Sequence, residues 1–276
     1  TLNPTQRKWL SKYGERALCV DDTFNLTSYS LRLATVIVAD EWDRALLAAY
    51  LLSFRMTEVE VGIMFEHVKK FLPSFHTDFF MTDDSNSFWN GFKRAFPSTW
   101  TKKLLCLWHV QQAMKRNSKT DLKNSDLLEP FVEKMRETCL LRHREMFETK
   151  YTSVLKFLSE QGEDEMAAYM EKSWSGRVDQ WSAFVRLDSC VNTSMLCERF
   201  HKTLKHDILG GKANVRIDAL IQLLIPLIVE IDEEKEIERG IEEGRYRLQQ
   251  HHKAHALAEN KYKGRQQRIA IVGAGH

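Results

Sequence analysis

Glycine and proline are scarce, 12 and 5 of 276 residues, which excludes collagen-like repeats and loop-dominated architectures. No apolar run approaches the roughly twenty residues that a membrane-crossing helix needs. Cysteine is sparse and odd in number: five, at positions 19, 106, 139, 190 and 197. That scatter argues against a disulfide framework and for a reducing compartment. An excess of either sign of charge is lacking, with 40 basic and 38 acidic residues for a formal +2, so overall charge selects no partner. No internal repeat is visible. The chain opens at Thr1 with neither a methionine nor a charged-then-apolar leader, so a fragment without a signal peptide is expected. What is present, 43% hydrophobic and 28% charged residues, fits one large globular domain, or one domain carrying a substantial insertion.

The charge is sorted along the chain. Residues 85–120 hold seven Lys/Arg (93, 94, 102, 103, 115, 116, 119) and no acid. Residues 199–216 hold five against the single acid Asp207, and residues 230–244 hold eight acids against two bases. Such sorting can present a basic face to a polyanion, and it equally fits solvated helix faces.

Residues 1–16 read as a short polar helix. Three short apolar runs follow at 17–20 (ALCV), 31–38 (LRLATVIV) and 45–54 (ALLAAYLLSF), separated by polar turns. Their close spacing predicts a three-stranded meander. Thr57-x-x-Glu60 is a capping box, and Val61, Met64, Phe65, Val68 and Leu72 recur at helical spacing before Pro73. Residues 79–82 (FFMT) predict a fourth strand. A helix with Phe88, Trp89, Phe92, Ala95 and Phe96 on one side comes next, and 103–108 (KLLCLW) reads as a fifth strand ending at His109. The order βββαβαβ is that of a ribonuclease H-like α/β fold with a mixed sheet. Residues 110–192 read as helices only. A strong helical pattern returns at 193–209, and an apolar helix at 217–231 contains Pro226, which should kink or split it. The expected division is a first core part at 1–109, a large all-helical insertion at 110–192, C-terminal core helices at 193–231, and a charged exposed helix with a terminal linker at 232–276.

Two acids close short apolar runs. Asp21 ends the first strand and Asp83 the fourth, and in a sheet of this order those strands are neighbours. Two carboxylates held together repel unless a cation neutralises them, and hard oxygen donors in an open site suit Mg2+ or Mn2+. A third acid would complete a two-metal centre. Glu198 is the best candidate, on a helix that Thr193 or Ser194 can cap, with Lys202 and Lys205 on the same face at i+4 and i+7. Turn or cap roles for the aspartates and a surface ion pair for Glu198 fit the same residues, and the doublets Asp21-Asp22 and Asp83-Asp84 leave the choice within each pair open.

With these residues placed, the sequence resembles the transposase domain of Mutator-like elements, a group that includes domesticated proteins with SWIM zinc fingers. Asp21-Asp22-Thr23-Phe24 is similar to the family's Asp-x-Thr-Tyr segment and favours Asp21. Phe80-Met81-Thr82-Asp83, with Asn90 and Phe96-Pro97 after it, is similar to its Thr-Asp segment. Cys106-Leu107-Trp108-His109 resembles its Cys-x-x-His signature. Trp181, Asn192-Thr193, Glu198, His201 and Leu204-Lys205 resemble the segment around its third acid. The likeness covers about residues 1–255. It implies a DDE transposase core in which Asp21, Asp83 and Glu198 hold two Mg2+ or Mn2+ ions, cutting a DNA strand and transferring its 3′-hydroxyl to target DNA. It further implies double-stranded DNA (transposon ends and target) as partner, a homodimer or higher oligomer on that DNA, no membrane, and location in the nucleus. The alternative is a domesticated descendant that binds DNA or regulates transcription without cutting. No Cys-x-Cys follows residue 255, so any SWIM finger is expected beyond this chain.

Cys106, His109 and His201 are expected beside the site. Two ligands do not make a structural zinc centre, which wants four, although Cys190, Cys197 and His201 could join them. A hydrogen bond from His109 to a site carboxylate or phosphate is the expectation, against a core cysteine with a capping histidine. Lys102, Lys103, Lys115, Arg116, Arg199, Lys202 and Lys205 are the expected phosphate contacts. The aromatics at 89, 92, 96, 100, 108, 174, 181 and 184 are expected in the core, with one or two free to stack on an unpaired base.

Overall fold

A computed structural model of the chain describes residues 2–191 and 193–242. Asn192 and residues 243–276, where the end of the charged helix and the linker are expected, lie outside the described residues.

Helix α1 (Pro4–Tyr13) is closed at its start by Asn3, whose side chain accepts from the Gln6 amide while Gln6 answers to the Asn3 amide. The meander follows as β1 (Leu18–Thr23), β2 (Arg32–Ala39) and β3 (Ala45–Ser53). The β2–β3 turn is built by buried Asp40, whose carboxylate accepts from the amides of Trp42 and Arg44 at 2.9 Å each. Helix α2 (Glu58–Phe71) starts on the expected capping box of Thr57 and Glu60. Then come β4 (Phe79–Thr82), α3 (Asn86–Ala95) and β5 (Lys102–Leu105). The five strands form one mixed sheet in the order β3-β2-β1-β4-β5, with β1 antiparallel to β2 and parallel to β4, and β4 parallel to β5. The α/β class and the strand–helix order expected from the sequence therefore hold.

One face of the sheet is covered by α2 and α3. Phe80 of β4 packs against Phe65 and Phe92 at ring separations of 5.9 and 4.8 Å. The two helices approach closely where Gly91 meets Val61: a Cβ on Gly91 would stand 2.6 Å from a Val61 methyl and 2.8 Å from the Gly62 amide nitrogen. Glycine is therefore the residue this crossing requires.

Beyond the sheet lie α4 (Leu107–Asp121), α5 (Leu128–Cys139), α6 (Arg144–Glu160), α7 (Asp164–Ser173) and the single turn α8 (Val178–Trp181). They share a core built on Met114, Phe131, Phe147, Tyr151, Trp174 and Trp181. The stretch expected to be all-helical is helical among the described residues, but it begins earlier than expected. The fifth strand stops at Leu105, and Trp108 and His109 lie in the first turn of α4 rather than in a strand. The Cys106 amide still donates to Thr82 O at 2.8 Å, while its carbonyl already accepts from Val110 at 3.0 Å. A short apolar run carries no period that separates these outcomes, and the buried Leu107, Val110 and Met114 continue it at helical spacing. Two expected core aromatics are also outside: Trp100 is 89% exposed and Trp108 48%.

Helix α9 (Met195–Lys202) runs into a π-helical turn at Thr203–Ile208. Helix α10 (Ile217–Glu242) continues through Pro226 without being split. The chain divides at this proline, and Thr1–Ile225 is one compact unit.

Candidate active site

Strand parity decides which acids share a face. Cys19 and Met81 are register partners in the parallel pair β1–β4, so Asp21 and Asp83, two residues further along each strand direction, project to the same side. That side is the one α9 covers. Cys197 of α9 donates its thiol hydrogen to Cys19 O at 3.3 Å, and His201 Nε2 lies 2.9 Å from the hydroxyl of Thr35, the β2 residue paired with Asp21.

The neighbouring acids of each doublet are already neutralised. Asp22 is gripped by the guanidinium of Arg32, through Nε and, at 2.9 Å, through Nη2. Asp84 is gripped by Arg177 in the same two-pronged way. Strand β1 runs on through both its acids to Thr23 instead of ending at Asp21, since Asp22 and Thr23 pair with Ala34 and Leu33 of β2. Asp21 and Asp83 have no arginine or lysine ion pair among the described residues. Each instead accepts one backbone amide, from Asp22 at 2.9 Å and from Ser85 at 3.0 Å.

Their acidity shows the strain of that position. Burial pushes the Asp21 carboxyl up to about 7, the Asp83 charge adds to the rise, and the Asp22 amide and His109 oppose it. Burial likewise raises Asp83, against the Ser85 amide and His109. Two half-buried, mutually repelling carboxyls with no arginine or lysine partner among the described residues are what a hard divalent ion relieves.

Cys106 and His109 stand beside this pair at the N-terminus of α4. The Ser194 hydroxyl lies 3.2 Å from Cys106 Sγ, 3.0 Å from Glu198 Oε1 and 3.5 Å from His109 Nδ1, and the Ser194 amide donates to Cys106 Sγ at 3.2 Å. Ser194 takes the N-cap position of α9, but its side chain makes no cap bond, because its hydroxyl is turned into this cluster. Glu198 Oε1 is 4.0 Å from His109 Nε2, with side chains 41% and 29% exposed. The hydrogen bond to Cys106 raises the His109 pKa to about 9 against burial, helped by the charges of Cys106, Asp21 and Glu198. Burial pushes the Cys106 thiol up, but hydrogen bonds from His109 and Ser194 outweigh it and hold it below its ordinary value.

Among the described residues, donor atoms of Cys106, His109 and Glu198 lie within 4.8 Å of one another, and Asp21 and Asp83 are not part of that group. His109 interacts electrostatically with Asp21, Asp83 and Glu198, the aspartates on the sheet and Glu198 drawn to Ser194. The Thr35 hydroxyl that meets His201 donates to the Asp21 backbone carbonyl at 3.3 Å, so His201 does not bond the Asp21 carboxylate. Burial, with nearby Lys205, lowers its pKa to about 4. Cys197 is committed to Cys19, and neither Cys190, Cys197 nor His201 joins Cys106 and His109.

The expected phosphate contacts fall into two places. Arg199 and Lys202 are exposed on α9 beside Glu198. The π turn rotates Lys205 off the helical i+7 position, and its ammonium lies 5.4 Å from the ring of exposed Phe24, just after β1. Lys103 bonds Asn86 at 2.9 Å near Asp83 and Asp84, Lys102 lies over the Phe79 ring, Lys115 pairs with Glu129 at 3.9 Å, and Arg116 is exposed on α4. Sequence alone marks Ser194 only as a cap and singles out neither Arg32 nor Arg177. The β1–β2 register would point to Arg32, whereas Arg177, 93 positions from Asp84, carries no local signal.

No protein-family model matches this chain, and no curated protein matches it.

Proposed function

We propose that this chain is a ribonuclease H-like, divalent-metal-dependent DNA strand-cleaving and strand-transferring core of the kind found in Mutator-like transposases. The observation that carries the reading is the sorting of the doublets. Asp22 and Asp84 are closed by arginines, while Asp21 and Asp83 are left side by side on one face of adjacent parallel strands, half-buried and without an arginine or lysine partner among the described residues. The strand order β3-β2-β1-β4-β5, with β1 central, and the helical segment between the second acid and α9 support the same reading.

In this proposal Asp21 and Asp83 offer hard oxygen donors from the sheet, and Glu198 supplies the third carboxylate by a side-chain rotation away from Ser194. Two Mg2+ or Mn2+ ions bound there would activate the attacking oxygen and stabilise the leaving one. Arg199, Lys202 and Lys205 hold backbone phosphates beside the acids and read no sequence. His109, protonated through its hydrogen bond with Cys106, keeps a positive charge next to the aspartates and the DNA phosphate.

The test is nicking of supercoiled plasmid in Mn2+ or Mg2+. Asp83→Asn should lower it by on the order of 10³-fold without unfolding the protein, and unchanged nicking removes Asp83 from the mechanism. Lys202→Ala with Lys205→Ala should flatten the plot of log affinity for duplex DNA against log salt, by about one unit of slope for each phosphate no longer neutralised. An unaltered slope contradicts the basic face.

A domesticated DNA-binding protein that does not cut is the second reading. It is favoured by the hydrogen bond that holds Glu198 on Ser194 and by the grouping of Glu198 with Cys106 and His109 rather than with the aspartates. Duplex binding with no metal-dependent nicking by the wild type would decide for it.

A further inference from the structure

We propose that Cys106, His109 and Glu198 form a site for a thiophilic divalent ion such as Zn2+, chemically separate from the all-oxygen pair of Asp21 and Asp83. The donors come from two elements that the fold holds together. Cys106 and His109, three apart at the start of α4, turn to the same side, and Glu198 comes from the first turn of α9. One ligand atom from each lies within 4.8 Å of the others.

The Ser194 hydroxyl stands at a fourth corner, 3.0 to 3.5 Å from a donor of each residue. In a tetrahedral zinc site with bonds of about 2.0–2.3 Å, corners lie about 3.3–3.8 Å apart. Ser194 is therefore already near corner spacing, and the half-exposed Glu198 has the freedom to close the remainder. The ligand chemistry decides the ion. A sulfur and an imidazole nitrogen select Zn2+ over Mg2+, whereas Asp21 and Asp83 are hard oxygen donors that suit Mg2+ or Mn2+.

The surroundings are those of a supported site. The Ser194 amide fixes Cys106 Sγ at 3.2 Å. The carbonyl just before Cys106, Leu105 O, is held at 3.0 Å by the buried guanidinium of Arg186, which also binds Gln180 O at 2.9 Å. These bonds set the strand-to-helix corner that aims the thiol.

The site also bears on the proposed phosphoryl-transfer reading, and this part rests on that reading. Glu198 cannot serve both centres, so Zn2+ on Cys106 and His109 would keep it from the aspartates. Low Zn2+ should then inhibit Mn2+-dependent nicking, and Cys106→Ser should remove that inhibition.

The site itself is tested without DNA, by titrating the full chain with Co2+. A thiolate-to-cobalt charge-transfer band should saturate at one ion per chain and disappear on adding Zn2+. It should be absent in Cys106→Ser, weakened in affinity in the partly exposed variant His109→Asn, and retained in Asp83→Asn. No band in the folded wild type, or a band unchanged in Cys106→Ser, overturns the site. Should Cys106→Ser fail to fold, unchanged Co2+ affinity in His109→Asn overturns it instead. A band without nicking sinks the strand-transfer reading alone, and nicking without a band sinks the ion site alone.

Discussion

Asp21→Asn should silence metal-dependent nicking and, in the same protein without metal, raise stability. The two effects have one cause. The folded carboxyl keeps its proton up to about pH 7, against the ordinary value of 3.8, because it is half-buried and desolvated beside Asp83. Folding therefore takes up a proton between those values. The Asp21 contribution to stability is most favourable below about pH 4, falls as pH rises through the window, and is fully lost above about pH 7. The gap between 3.8 and about 7 corresponds to roughly 4 kcal/mol. Asparagine keeps the shape and carries no charge, so the variant lacks this loss.

Urea unfolding in EDTA at pH 5 and pH 8 checks it. The variant should gain over the wild type mainly at the higher pH. Mn2+ at pH 8 should raise the wild-type midpoint and leave the variant unmoved. Equal stability of both proteins at pH 8 would show that Asp21 is not held in a repelling, desolvated position, and the case for a cation there would fall with it.

Most of what positions these acids is legible in the sequence. The FFMT strand, the Thr57–Glu60 capping box and the close strand spacing are local signals, and local signals survive folding. Parity along β1 and β4 then puts Asp21 and Asp83 on one face, a consequence of register that needs only the two-residue repeat of a strand. Choosing between the members of each doublet is not local. Asp22 and Asp84 are excluded by Arg32 and Arg177, and Arg177 arrives from the far end of the helical insertion.

The β5–α4 corner is misplaced from sequence because KLLCLW is apolar nearly throughout and too short to show a period. Lys205 falls on the Glu198 face only under a 3.6-residue repeat, which the π turn at Thr203–Ile208 interrupts. The direction of Glu198 depends on Ser194, and a hydroxyl that can cap a helix or bond a carboxylate gives no sign in sequence of which it will do.

Trp181→Ala should be the most damaging substitution away from the acids. Trp181 is fully buried, with its ring 5.3 Å from Phe147, 5.9 Å from Tyr151 and 6.3 Å from Trp174, and its indole N–H donates to Trp174 O at 3.0 Å. Alanine would open a cavity at the centre of the aromatic cluster and remove the indole donor from the Trp174 carbonyl. The loss should be about 3–5 kcal/mol, a large share of a typical domain's stability. It would be read as a drop in the urea midpoint by far-ultraviolet circular dichroism.

The damage should also spread along one route. The turn that ends at Trp181 packs against β5, and the Gln180 carbonyl beside it is one of those that Arg186 clamps together with Leu105 O. Loosening it should release the corner carrying Cys106 before it disturbs Asp21 and Asp83, which sit on β1 and at the end of β4. At temperatures where Trp181→Ala remains folded, Mn2+ should still stabilise it, while Cys106 should become reactive toward a thiol reagent. Loss of both responses together would mean that the sheet acids and the insertion unfold as one, and that the aromatic cluster supports the whole site rather than its α4 side.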